Sequence, residues 1–233
     1  MKIVVTKDGP YIVSGDVPLV LQEIVLDEEG YSWDWSEERK IETGTTYRLC
    51  RCGRSENKPF CDDTHLKVGF VGEEDASRQP FSAQAKKYVG PTLELADAVA
   101  LCASARFCHP GGKIWSLVRQ ADPGALELAK REATHCPSGR LVLRDGEEGR
   151  EFEEVLRPSI CIIEDSPLGC SGPLWVRGGI RIESEDGEPY EIRNRVTLCR
   201  CGASKNKPFC NGGHAVIKFR DGLVDLTPSA NVR

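Results

Sequence analysis

Residues 50–65 read CRCGRSENKPFCDDTH, and residues 199–214 read CRCGASKNKPFCNGGH. Eleven of the sixteen positions are identical, and each matching pair lies 149 residues apart. Cys50, Cys52, Cys61 and His65 therefore recur as Cys199, Cys201, Cys210 and His214. A free cysteine is ordinarily a small buried hydrophobe, and a single histidine an ordinary surface or core side chain. Those readings fail for eight residues in two matching sets, in a chain with only four histidines. Three thiolates and one imidazole at fixed spacing, twice over, read as two metal centres.

The spacing is C-x-C-x8-C-x3-H. Zinc fingers and ribbons usually hold their paired cysteines two to four residues apart, whereas one residue separates them here. Sulfur-rich donor sets suit both zinc and iron–sulfur clusters, so ligand chemistry leaves both open. Asp62 and Asn211, just after the third cysteine, are candidate caps for a short helix carrying the histidine.

Both segments resemble the CDGSH iron–sulfur domain, whose pattern is C-x-C-x2-[ST]-x3-P-x-C-[DN]-x2-H. Ser55 and Pro59 fill its intermediate positions in the first copy, Ser204 and Pro208 in the second. The resemblance implies a 2Fe–2S cluster in each copy. Cys50 and Cys52 would hold one iron and Cys61 and His65 the other; Cys199 and Cys201, then Cys210 and His214, would do the same. Neither copy spells the family's name. The first has CDDTH, with Asp63 in place of glycine, and the second CNGGH, with Asn211 in place of an acid.

The repeat extends upstream. Gly9–Gly15 (GPYIVSG) resembles Gly172–Gly178 (GPLWVRG), two β-rich runs after a Gly-Pro turn. From that first glycine to the first ligand is 41 residues in one half and 27 in the other. The 14 additional residues are assigned to the acidic stretch 27–43, where Trp33 and Trp35 alternate as on a strand. CDGSH domains are built from two such modules, so the expected fold is α+β and mainly β. Two CDGSH modules form an intramolecular pseudo-dimer β-sandwich, with a small ferredoxin-like α+β insert. Expected boundaries are 1–84, 85–150 and 151–233, and a monomer follows because the chain supplies both modules itself.

Between the copies Cys102 and Cys108 are followed by Cys136-Pro137. Bacterial ferredoxins space their cysteines C-x2-C-x2-C with a distant Cys-Pro; here Ala105 stands where the middle ligand would be. Three thiolates suit a 3Fe–4S cluster, and a 4Fe–4S cluster requires another ligand at the fourth iron. This segment resembles the divergent mono-cluster ferredoxins often fused to CDGSH domains. Three buried structural cysteines are the alternative. Asp122-Pro123 predicts a helix start, Leu126, Ala129, Ala133 and Cys136 a core-facing stripe, and Leu141-Val142-Leu143 a strand. His109 and His135 neighbour ligand cysteines and are read as non-ligands, as are Cys161, in an apolar run, and Cys170, in a turn-rich and more accessible stretch.

Eleven cysteines without a signal-peptide core predict a reducing, cytoplasmic setting and metal ligation in place of a disulfide framework. No apolar stretch of 18 residues predicts a membrane span, and a net charge of −5 gives no reason to expect nucleic acid. Lys58 and Lys207 are expected to face anionic clusters, and 71–79 and 144–154 to cross the surface into and out of the insert. No nucleophile–base set, phosphate loop or dinucleotide fingerprint marks an enzyme. Three functions remain: electron transfer with an unidentified redox partner, redox or iron sensing or cluster transfer, and a zinc-stabilised interaction module.

Overall fold

Matching β-hairpins open the two halves, and the fold grows from their pairing; Gly9-Pro10 lies in the turn of the first, whereas Gly172-Pro173 lies inside a strand of the second, which corrects the expectation of a turn there. The computed structural model describes all 233 residues. The first half contributes β1 (Lys2–Val5), β2 (Tyr11–Ser14), β3 (Leu19–Leu26), β4 (Ser32–Trp35), β5 (Arg39–Ile41), β6 (Thr46–Leu49) and the one-turn helix α1 (Thr64–Lys67). The insert contains α2 (Phe81–Gln84), β7 (Lys86–Val89), β8 (Leu93–Asp97), α3 (Ile114–Leu117), α4 (Pro123–Thr134) and β9 (Leu141–Asp145). The second half supplies β10 (Ser159–Asp165), β11 (Cys170–Arg177), β12 (Arg181–Ser184), β13 (Arg195–Leu198) and α5 (Gly213–Val216).

The halves exchange a strand. One sheet runs β12-β1-β2-β6, the other β13-β11-β10-β3-β4, with β5 also on β3. β12 joins the first half's sheet parallel to β1, Lys2 opposite Arg181, while β3 joins the second half's sheet parallel to β10, Leu19 opposite Ile160. The remaining pairings are antiparallel and equivalent: Tyr11 faces Leu49 across β2–β6, and Leu174 faces Leu198 across β11–β13. This confirms the repeat alignment, including the extra stretch, which builds β4 and β5 on the outer edge of β3.

Ile3, Val5, Tyr11, Val13, Leu19 and Leu21 from one half share a single apolar core with Ile160, Ile162, Leu174, Val176, Ile182 and Leu198 from the other. The two sheets thus form a sandwich that neither half completes alone. Along β2 buried and half-buried residues alternate, the sign of one solvent-facing side. Every residue of β10 and β11 is buried. Their second face is covered by the insert, whose Ala105 and Phe107 pack with Cys161, Ile163 and Trp175.

The insert is a three-stranded antiparallel sheet, β7-β8-β9, with α3 and α4 on one face. Asp122 caps α4 as its sequence predicts, accepting from the Ala125 amide at 3.0 Å, with Pro123 in the first turn. The inward stripe is Ala125, Ala129, Glu132 and Ala133; Leu126 is only half-buried. No helix is long and apolar enough to cross a membrane.

Candidate metal centres

Each repeat loop is closed by the strand that leads into it. The amides of Cys50 and Cys199 donate to the Pro59 and Pro208 carbonyls (2.9 and 2.8 Å), and those of Cys61 and Cys210 to the Arg48 and Thr197 carbonyls (3.0 and 2.8 Å). Inside the loop, Ser55 Oγ donates to the Phe60 carbonyl and accepts from the Asn57 amide; Ser204 does the same with Phe209 and Asn206. The serine and proline of the motif therefore shape the loop and leave ligation to Cys and His. Asp62 and Asn211 do accept from backbone amides, of Thr64 and Gly213. They stand one residue before the cap position, which Asp63 and Gly212 occupy with left-handed backbone, φ 66° and 81°.

The donors form two pairs in each copy. Cys50 and Cys52 place their sulfurs 3.7 Å apart, as do Cys199 and Cys201. Cys61 Sγ lies 3.4 Å from His65 Nδ1, and Cys210 Sγ 3.4 Å from His214 Nδ1. Metal–sulfur bonds of about 2.3 Å and metal–nitrogen bonds of about 2.0–2.1 Å at tetrahedral angles require separations near these. Only Cys61, Asp63 and His65 bring three ligand atoms within 4.8 Å of one another. The four motif donors of either copy therefore do not converge on one point. That arrangement fits a two-metal group held at both ends better than one tetrahedral ion.

Electrostatics within each pair follow from its closeness. A hydrogen bond from Cys52, reinforced by backbone amides, holds the Cys50 thiol below its ordinary range, and the Cys52 thiol is pushed up in turn. Cys199 and Cys201 behave alike. Burial raises Cys210 and lowers His214 to about 4, so the imidazole stays neutral, the form that ligates. The Cys–His pair is the more enclosed in the second site, with Cys210 at 2% and His214 at 3% exposure, whereas Cys61 is half-buried; at the Cys–Cys end the order reverses, Cys52 being buried and Cys201 half-buried.

The insert's Cys102, Cys108 and Cys136 line one cleft with Ala105, Phe107, Pro137 and Ser138. They are not close enough for one ion, and the cleft holds no fourth thiol. Cys161 and Cys170 lie elsewhere. Cys161 packs beneath Trp175, and Cys170 is fully buried, contrary to the accessibility expected of its turn-rich sequence, because it begins β11 against Asp165. Cys161 and Asp165, the residue opposite Cys170, are four strand steps or roughly 13 Å apart, too far for a disulfide between Cys161 and Cys170.

Several features were not legible in the sequence. Lys58 and Lys207 bond to the Ser55 and Ser204 carbonyls of their own loops. The residue inside each Cys-x-Cys is a buried arginine. Arg200 pairs with Glu164 and Asp221. Arg51 bonds only to the carbonyls of Gly9, Thr6 and Gly72, because Gly72 stands where the other copy has Asp221. The 71–79 crossing is anchored on the second half: Glu74 accepts from Tyr190 and Ser184, and Arg78 stacks on Tyr190. In the insert, Glu132 is buried with no ion-pair partner, and burial pushes it up to about 9 against the pull of the Ile114 amide. His135 bonds to the Arg131 carbonyl and packs on Phe107, outside the cysteine cleft.

Comparison with known proteins finds two families in the sequence. The iron-binding zinc finger CDGSH type matches residues 8–66 and again 171–215, and the divergent 4Fe-4S mono-cluster type matches 88–146. The chain is a tandem CDGSH protein with a mono-cluster insert. It is similar to the mouse (Mus musculus) CDGSH iron-sulfur domain-containing protein 3, mitochondrial, at 56% identity over 27 residues. That stretch is 12% of this chain and only 20% of the relative. The CDGSH sites are thus iron–sulfur binding sites, each in the loop that follows a strand of the strand-exchanged sandwich.

Proposed function

We propose that the protein transfers electrons, carrying a 2Fe–2S cluster in each Cys3His site and one ferredoxin-type cluster on Cys102, Cys108 and Cys136. The observation that carries this reading is the division of each repeat's donors into a Cys–Cys pair and a Cys–His pair that share no common point. Such clusters supply one-electron oxidation and reduction when bound. The chain's own part is to set each pair of donors at the separation a shared metal needs, to draw Cys50 and Cys199 toward the thiolate, to keep His214 neutral, and to enclose the Cys–His pair of the second site. Three thiols without a fourth favour 3Fe–4S in the insert, with 4Fe–4S requiring a non-cysteine ligand. The partner is another redox protein, the chain works as a monomer and a carrier with no catalysis of its own, and eleven unpaired thiols suit a reducing compartment such as the cytoplasm.

A second reading, release of a cluster to another protein, draws on the half-buried Cys61 and on Asp63, whose carboxylate is half exposed. Iron, zinc and acid-labile sulfide in anaerobically purified protein, with its optical spectrum, test both. Reddish-brown protein with sulfide close to iron is expected. Colourless protein holding zinc would overturn both and support the zinc-stabilised module.

A further inference from the structure

The two repeat sites have diverged on one face, and the insert sits on that face in the second copy alone. At matching positions the first copy has Arg48 and Asp63 and the second Thr197 and Gly212. Arg48 and Asp63 form an ion pair with both side chains about half exposed, at 44% and 50%. Thr197 is buried, and a Cβ on Gly212 would stand 2.3 Å from Ser104 Oγ and 3.4 Å from the Cys102 carbonyl. The second copy lacks a side chain there because the cysteine loop of the insert occupies its space.

Three further contacts fix the same docking. Arg195, on β13 and four residues before Cys199, is 2% exposed and donates to the carbonyls of Ala133, Thr134 and Cys136 at 2.7, 2.8 and 2.7 Å. Its counterpart is the exposed Thr46. Asn206 Nδ2 donates to the Ala100 carbonyl at 3.0 Å, and its counterpart Asn57 is exposed. Arg106, between Cys102 and Cys108, forks onto Asp165 of β10 at 2.6 and 2.9 Å.

The other side of the second site meets the first. A Cβ on Gly53 would lie 2.6 Å from the Cys201 carbonyl, and one on Gly202 the same distance from the Cys52 carbonyl. The two Cys-x-Cys-Gly turns thus touch back to back. We propose that the second CDGSH site is the junction of a three-site line: it contacts the insert's site through Gly212 and Ser104 and the first site through Gly53 and Gly202, and the insert communicates with the first site only through it. Gly212 is the position that keeps the junction closed. This rests on the cluster reading above.

The test is electron paramagnetic resonance of the partly reduced holoprotein, read as the spin-relaxation rate of the insert's signal. Emptying the second site with Cys210→Ala/His214→Ala is expected to slow that relaxation several-fold. Emptying the first with Cys61→Ala/His65→Ala is expected to leave it unchanged. Equal effects from the two, or none from either, would overturn the junction. A milder variant avoids any loss of fold: Gly212→Asp installs the residue that the first copy already holds at nearly the same backbone angle. It is expected to keep full iron and sulfide while slowing the insert's relaxation several-fold, and the reciprocal Asp63→Gly to change nothing. Unaltered relaxation in Gly212→Asp at full metal content would overturn the role of the contact. Wild-type protein without iron and sulfide would instead overturn the cluster reading beneath it.

Discussion

The hydroxyl of Tyr11, in the first half, donates to the backbone carbonyl of Cys199, in the second, at 2.7 Å. The same oxygen lies 3.0 Å from the Pro208 carbonyl, so one phenol ties both ends of the second ligand loop. Burial raises its ionisation well above the ordinary tyrosine range, and it remains a donor. At the matching position the second half has Leu174, which offers the first loop no such bond. Tyr11→Phe is therefore expected to loosen the second cluster alone, by about 1 kcal/mol, the net worth of one buried hydrogen bond. Chelator-driven loss, followed separately for the two CDGSH signals, checks this; equal acceleration of both would contradict it.

Gly53 and Gly202 hold φ of 74° and 78° and leave room for each other's neighbouring carbonyl. A methyl group at either adds backbone strain of roughly 1 kcal/mol to a clash at 2.6 Å. Gly202→Ala is expected to reduce iron at both repeat sites, since the contact is shared, and to spare the insert's signal. Loss confined to the second site would show that the turns do not depend on each other.

The two buried arginines differ in charge compensation. Burial pushes Glu164 up to about 7 against the pull of Arg200, and Arg200 holds Asp221 down despite its burial. Arg51 has no carboxylate partner within ion-pair distance. A cluster beside an uncompensated cation is easier to reduce, so the first site is expected to have the higher potential. Asp221→Asn should raise the second site's potential toward it by tens of millivolts. Redox titration of both signals is the measurement, and an unchanged or lowered second potential would refute the account.

Glu132 makes stability depend on pH. Its folded pKa of about 9 exceeds the ordinary carboxyl value, so between about pH 4.5 and 9 the unfolded chain binds fewer protons than the native one. Stability is fully present at the acid end of that window and declines as pH rises through it, by an amount on the order of a few kcal/mol. Glu132→Gln should flatten this decline and make the protein more stable near pH 8. Denaturant unfolding at several pH values, with iron retention monitored, would show a parallel slope in both proteins if the carboxyl were solvated.

The sequence by itself determined the candidate ligands, because donor type and spacing are local properties, and repetition removed the ambiguity of single cysteines. Ser55, Pro59 and their counterparts were legible for the same reason: they close a loop of fewer than twenty residues. The start of α4 at Asp122-Pro123 was legible from its own first turn. The tertiary structure decided what depends on residues far apart in the chain. The exchange of β3 and β12 between sheets is invisible to period-two patterning, since either partner buries the same face. The burial of Cys170, the ion pairs of Arg200 and the isolation of Glu132 depend on neighbours supplied by other elements. Above all, the meaning of Gly212 against Asp63 appears only once the insert lies on one of the two copies: the repeat fixes two equivalent loops, and packing makes them unequal.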